Sequence, residues 1–228
     1  MLKKSLLQNI IDIAAEHSIM ILSDEVYRPI FHSITPMDSE FPPSILSMGY
    51  KHATATGSLS KAYALAGIRV GWIASRSGEI IEKLAQARHY TTISVSQLDE
   101  QVAAFALSQN TVHNLLGKNI QLARKNLEIL DRFVIKNDDV CEWVKPLAGT
   151  TAFVKFHREG SPINAVEFCR QLLENTGVMF VPGEECFGKE FKGYVRIGFV
   201  NDTEIIQEGL EKVRQFLRKE LDDLPLAK

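Results

Sequence analysis

The feature that most limits the fold is a change of apolar rhythm near the start of the chain. Over residues 2–17, Leu6, Ile10, Ile13 and Ala14 recur at helical spacing, and Ile19, Met20, Ile21 and Leu22 then form an unbroken apolar run. A period near 3.6 marks an amphipathic helix, and a short continuous run closed by polar residues marks a buried strand. A Pro-rich stretch over 28–47 follows (Pro29, Pro36, Pro42, Pro43). Beyond it, 53–56 and 68–74 read as two further strands flanking a Gly/Ser-rich turn, and 78–90 reads as a helix. Helix and strand in turn predict an α/β layer with a mainly parallel sheet.

The rhythm changes again after residue 110. Leu116, Ile120, Ala123, Leu127, Leu130 and Val134 step by three and four, with Lys118, Arg124, Lys125 and Glu128 on the other side, so 112–134 is predicted as one long amphipathic helix. Strands are predicted near 140–144, 152–156, 178–181 and 194–199, and helices over 163–175 and 203–217. The expected organisation is a first domain over 1–110, a linking helix over 111–135 and a small α+β domain over 136–228.

Composition excludes several classes. Twenty-six Lys and Arg against 28 Asp and Glu give a net charge of -2, with no basic cluster of the kind that grips nucleic acid. No apolar stretch is long enough to span a membrane, and Gln8, Asn9 and Asp12 interrupt the run a signal peptide would need. A cytoplasmic, small-molecule protein is expected. Cys141, Cys169 and Cys186 are widely spaced and lack histidines at metal-ligand distance, so they are expected to be reduced thiols and no metal site is expected.

Chemistry gathers where the predicted strands end. The run 19–22 leads into Ser23, Asp24, Glu25, Val26 and Tyr27, and 53–56 leads into Gly57, Ser58, Leu59, Ser60 and Lys61. In open α/β sheets ligands bind outside the carboxyl ends of the strands. A carboxylate, a phenol, two hydroxyls and an amine are thus expected at one edge. Singly each has an ordinary use: Asp24 as a turn cap, Tyr27 as a packed ring, Ser58 as turn chemistry, Lys61 as a solvated charge. Their conjunction is what singles them out.

Ser23-Asp24-Glu25-Val26-Tyr27 resembles the Asp-Glu-x-Tyr motif of the class I/II, fold-type I aminotransferases. The run from Gly57 through Ser58, Ser60 and Lys61 to Gly67-Ile68-Arg69-Val70-Gly71 resembles that family's Ser-x-Ser-Lys and Gly-x-Arg-x-Gly signature. Val181-Pro182-Gly183 and Gly193-Tyr194-Val195-Arg196-Ile197-Gly198 resemble its Pro-Gly loop and late Arg-bearing strand. The resemblance implies the cofactor pyridoxal 5'-phosphate (PLP), with Lys61 as its Schiff-base lysine and catalytic base and Asp24 as partner of the pyridine nitrogen. It further implies Tyr27 as donor to the ring's phenolic oxygen, Ser58, Ser60 and Arg69 as phosphate ligands, and Arg196 as the grip on the substrate α-carboxylate. Arg69 is expected on the strand that follows the lysine.

The implied fold is the later part of a three-layer aminotransferase large domain followed by the small domain. The implied activity is amino transfer between an amino acid and a 2-oxo acid, by a protein that dimerises. A PLP-dependent lyase or cyclase, or a non-catalytic association module, are the alternatives. Members of that family carry about as much chain again before the position of Ser5, so full activity is expected to need a longer chain.

Overall fold

The computed structural model describes residues 1–227. The chain forms two compact units, one of Met1–Ile120 with Leu147–Gly149, the other of Gln121–Pro146 and the chain from Thr150 onward.

In the first unit, α1 (Lys4–Glu16) buries Ile11 and Ala14. Ile11 packs with Ile45, Ala53 and Ala55, and Leu7, Ile21 and Tyr50 close the cluster. The helix stops at His17, and Ser18 takes a left-handed turn at φ 54° into the first strand. The Tyr50 hydroxyl lies 3.1 Å from the Ala14 carbonyl and 2.7 Å from that of Ile19, which ties the helix end to the strand that follows.

Strands β1 (Ile21–Asp24), β2 (Ala53–Ser58) and β3 (Gly71–Ser75) form a sheet in the order β1-β2-β3. β1 and β2 are parallel, with Ile21 opposite Ala53 and Asp24 opposite Thr56. β3 returns antiparallel to β2, Gly71 facing Ser58. The α/β character stands, and the sheet is mixed: one pairing is parallel and one antiparallel. β3 starts later than the apolar run suggested, because Ala66–Ile68 form a 3-10 turn and Arg69 is left-handed.

Gly57 is required by packing. A Cβ built there would lie 2.3 Å from the indole of Trp72, its register partner, whose ring stands edge-on to Tyr63 at 6.4 Å. Gly57→Ala is therefore expected to destabilise the unit by about 1–3 kcal/mol through overpacking. A urea midpoint unchanged from the parent would contradict this.

The Pro-rich stretch folds back on itself. Nη1 of Arg28 donates to the Pro42 carbonyl at 2.8 Å, and its guanidinium lies 5.5 Å from the Phe31 ring centroid and 6.0 Å from that of Phe41. Burial lowers the Arg28 pKa, and the neighbouring Glu25 carboxylate opposes that. Two helices follow, α2 (Gly78–Arg88), capped by Ser77, and α3 (Gln97–Ala106), capped by Ser96 with Asp99 and Glu100 in its first turn.

Helix α4 (Val112–Lys136) buries Ala123, Asn126, Leu127, Leu130, Phe133 and Val134, all in the second unit. There β4 (Cys141–Trp143), β5 (Thr151–Arg158), β7 (Val181–Pro182) and β8 (Tyr194–Gly198) form an antiparallel sheet in the order β4-β5-β8-β7, and β6 (Ser161–Pro162) pairs with β5. Helix α5 (Ala165–Thr176) begins at an Asn164 cap and ends at left-handed Gly177. The short α6 (Gly183–Phe187) and the long α7 (Thr203–Glu220) complete the unit. Phe156, Phe168 and Phe216 from β5, α5 and α7 meet at its core. Nη1 of Arg158 donates to the carbonyls of Leu221, Asp222 and Leu224 where α7 ends. All three cysteines are free, and burial pushes the thiols of Cys141 and Cys169 up to about 12.

Candidate active site

Because β1 and β2 run parallel, their carboxyl ends share one edge, and Asp24 and Ser58 are the last residues of the two strands. Side chains alternate along a strand, so Asp24, its register partner Thr56, and Ser58 two residues on stand on one face. Asp24 Oδ1 accepts from the Thr56 hydroxyl at 3.0 Å and from the Val26 amide at 3.2 Å. Glu25, beside it, turns its carboxylate elsewhere. It accepts from the Ser44 hydroxyl at 3.1 Å and the Ile45 amide at 2.9 Å, and so caps the short 3-10 helix Ile45–Met48.

Lys61 lies just past β2 in a turn held by its neighbours. Leu59 and Ala62 are wholly buried and Tyr63 nearly so, whereas Lys61 is exposed. The Leu59 amide donates to the Val70 carbonyl and the Leu65 amide to the Leu59 carbonyl, and Nδ2 of Asn119 donates to the Ala62 carbonyl at 2.9 Å. The buried side chains anchor the turn, and the lysine is the one that projects. Its Nζ lies 5.8 Å from the centroid of the Tyr27 ring.

The two serines and the arginine form a chain of donors. The Ser58 and Ser60 hydroxyls are 2.9 Å apart, the Ser60 amide donates to Ser58 Oγ at 3.0 Å, and Arg69 Nη1 reaches Ser60 Oγ at 3.4 Å. Arg69 is not on a strand as expected. It sits between the 3-10 turn and β3 at φ 54°, ψ 37°, a left-handed conformation that costs a non-glycine residue about 1 kcal/mol. Its guanidinium is held there by the Ala66 carbonyl at 2.8 Å.

Six of the seven residues singled out in the sequence (Asp24, Tyr27, Ser58, Ser60, Lys61 and Arg69) thus belong to the first unit, around the ends of β1 and β2 and the turn after β2. Arg196 belongs to the second. It is exposed on β8, opposite Phe153 and Val181, with its guanidinium 5.8 Å from the Phe187 ring centroid. Phe153 also stands 5.3 Å from Phe187, 5.2 Å from Phe191 and 4.9 Å from Tyr194, so Arg196 lies beside an aromatic cluster. Thr56 stands beside Asp24 although none of the motifs includes it. The signal for Thr56 was present, since it precedes Ser58 by two in a strand and therefore shares its face.

The donor set suits a phosphorylated pyridine aldehyde. A carboxylate, an amine, a phenol and a cation with two hydroxyls are the complements of its ring nitrogen, carbonyl, phenolic oxygen and phosphate. The register puts Asp24 and Ser58 on adjacent strands about 7 Å apart along the strand direction, the scale of such a ring with its phosphate arm.

Residues 1–213 match the family model for aminotransferase class I and II. The chain is 30% identical over 226 residues to an aspartate aminotransferase of Pyrococcus abyssi, an alignment covering 96% of this chain and 54% of that protein. It is 28% identical over 208 residues to the capreomycidine synthase of Streptomyces vinaceus, covering 91% and 50%. Among solved structures, a PLP-dependent aminotransferase from Streptococcus suis 89-1591 superposes with a TM-score of 0.83 at 35% identity, covering 96% of this chain and 54% of that one. The chain spans about half the length of the curated relatives it matches. By this match over most of its length, the chain belongs to the class I and II aminotransferases, a family whose cofactor is pyridoxal 5'-phosphate.

Proposed function

We propose that this chain carries the cofactor-anchoring residues of a transaminase that moves an amino group between an amino acid and a 2-oxo acid. The observation that carries the reading is the turn after β2. It projects Lys61 from between buried neighbours toward Tyr27, while Ser58, Ser60 and Arg69 join in one chain of donors beside it.

When bound, PLP supplies a carbonyl for amine exchange and a ring that accepts the electron pair left when the substrate α-proton departs. Lys61 is the amine that anchors the carbonyl. With its amine free, Lys61 would be the base that takes the substrate α-proton and returns it. Asp24, an acceptor when ionised, holds the proton on the ring nitrogen. Tyr27 donates its hydroxyl hydrogen to the phenolic oxygen. Arg69 grips the phosphate with paired charge-assisted bonds, and the hydroxyls of Ser58 and Ser60 add donors. Arg196 pairs with the substrate α-carboxylate in the same two-pronged manner.

Self-association goes with this reading, supported by Leu22 and Ile73, which stay exposed on the sheet face that carries Asp24. A cytoplasmic setting goes with it as well. Among the described residues no helix is long and apolar enough to cross a membrane.

The likeness to the solved PLP-dependent cyclase OrfR, 25% identical with a TM-score of 0.82, favours a cyclase as the second reading. A single-turnover experiment separates the two. The chain loaded with PLP is mixed with a panel of amino acids, and products are measured against loaded cofactor. Transamination yields one 2-oxo acid per cofactor and leaves the amino group on it. Ring closure or release of ammonia without that transfer would overturn the transaminase reading. No product from any amino acid would favour the association module.

A further inference from the structure

We propose that Thr56 is a positioning residue for Asp24, fixing which carboxylate oxygen meets the ring nitrogen of the cofactor. The inference rests on the reading of Asp24 as partner of that nitrogen.

Thr56 is the direct register partner of Asp24 in the parallel pair, so the two side chains rise at one level on one face. An ionised aspartate only accepts, so the hydroxyl must be the donor in the 3.0 Å bond to Oδ1. The Val26 amide donates to the same oxygen at 3.2 Å. Two donors on Oδ1 set the carboxylate plane, and among the described residues none reaches Oδ2. Oδ2 is then the oxygen presented to a ring N–H.

Three features suit Thr56 to the task. Its β-branched side chain is stiff about χ1, so the hydroxyl is held with little entropy to lose. Its carbonyl accepts the Glu25 amide at 2.9 Å, which locks the register that aligns hydroxyl and carboxylate. Glu25, the adjacent acid, is already committed to Ser44 and Ile45 and leaves Asp24 without a competitor.

The test compares PLP with its deaza analogue, in which CH replaces the ring nitrogen, on the 228-residue chain. Affinities are read from the visible absorption change. Valine matches threonine in shape and favours strands, so Thr56→Val removes the hydroxyl while keeping the fold. Thr56→Ser keeps the hydroxyl.

We expect Thr56→Val to weaken PLP about tenfold, the effect of one hydrogen bond to a charged group. The deaza analogue should change by less than about twofold, and Thr56→Ser should hold PLP within about threefold of the parent. Equal loss for both compounds would make Thr56 a merely structural residue, and no loss for either would remove it from the site. If the parent chain binds the two compounds equally, Asp24 does not engage the ring nitrogen. In that case the underlying reading fails, and the inference fails with it.

Discussion

Phe168→Ala is expected to lower the unfolding free energy of the second unit by about 3–5 kcal/mol. The Phe168 side chain is wholly buried on α5, its ring 4.9 Å from Phe156 of β5 and 5.9 Å from Phe216 of α7. It is therefore the contact through which the sheet, α5 and α7 share a core. Truncation removes the transfer energy of the ring and leaves a cavity among partners that are themselves fixed by regular structure. Phe168→Leu keeps most of the volume and should cost less, about 1.5 kcal/mol. Urea unfolding followed by circular dichroism checks both values. A loss below about 1 kcal/mol for the alanine variant would place the centre of this core elsewhere.

The second large effect concerns Arg69. Arg69→Ala is expected to weaken PLP at least thirtyfold, since charge-assisted, two-pronged hydrogen bonds to a phosphate contribute about 2–3 kcal/mol. Two comparisons isolate the cause. Pyridoxal, which lacks the phosphate, should bind the parent and the variant alike. Arg69→Gly relieves the left-handed backbone, so it should leave stability unchanged or raised by about 1 kcal/mol while losing as much PLP affinity as alanine. Equal weakening of pyridoxal and PLP would mean that Arg69 shapes the turn and does not grip phosphate.

The site was more legible in the sequence than the elements around it. Asp24 and Lys61 could be placed at one edge because short apolar runs ended in polar residues, and the parallel pairing of β1 and β2 puts those ends together. The direction of β3 could not be read. An apolar run has no polarity, and the turn that reverses the chain depends on residues 66–69 in backbone states the pattern does not encode. The same turn took Arg69 off its expected strand.

Helix α3 escaped notice for another reason. The residues it buries are Ala103 and Ala106, while Leu98 and Phe105 stand exposed, so its apolar pattern does not mark its packed face. Its Ser96 cap with Asp99 three residues on was the available signal. Glu25 looked like part of a motif with Asp24, yet its bonds to Ser44 and Ile45 span nineteen and twenty residues, a distance no local spacing reveals. Thr56 lies in a predicted strand, and a strand pattern does not show which register partner a side chain will meet.

Borohydride trapping tests most directly whether Lys61 anchors the cofactor. The chain is incubated with PLP, reduced, digested and mapped by mass spectrometry beside Lys61→Ala. A single pyridoxyl adduct on the peptide containing Lys61, absent from the variant, is the predicted result. Adducts scattered over exposed lysines, or the same adduct yield in the variant, would contradict it.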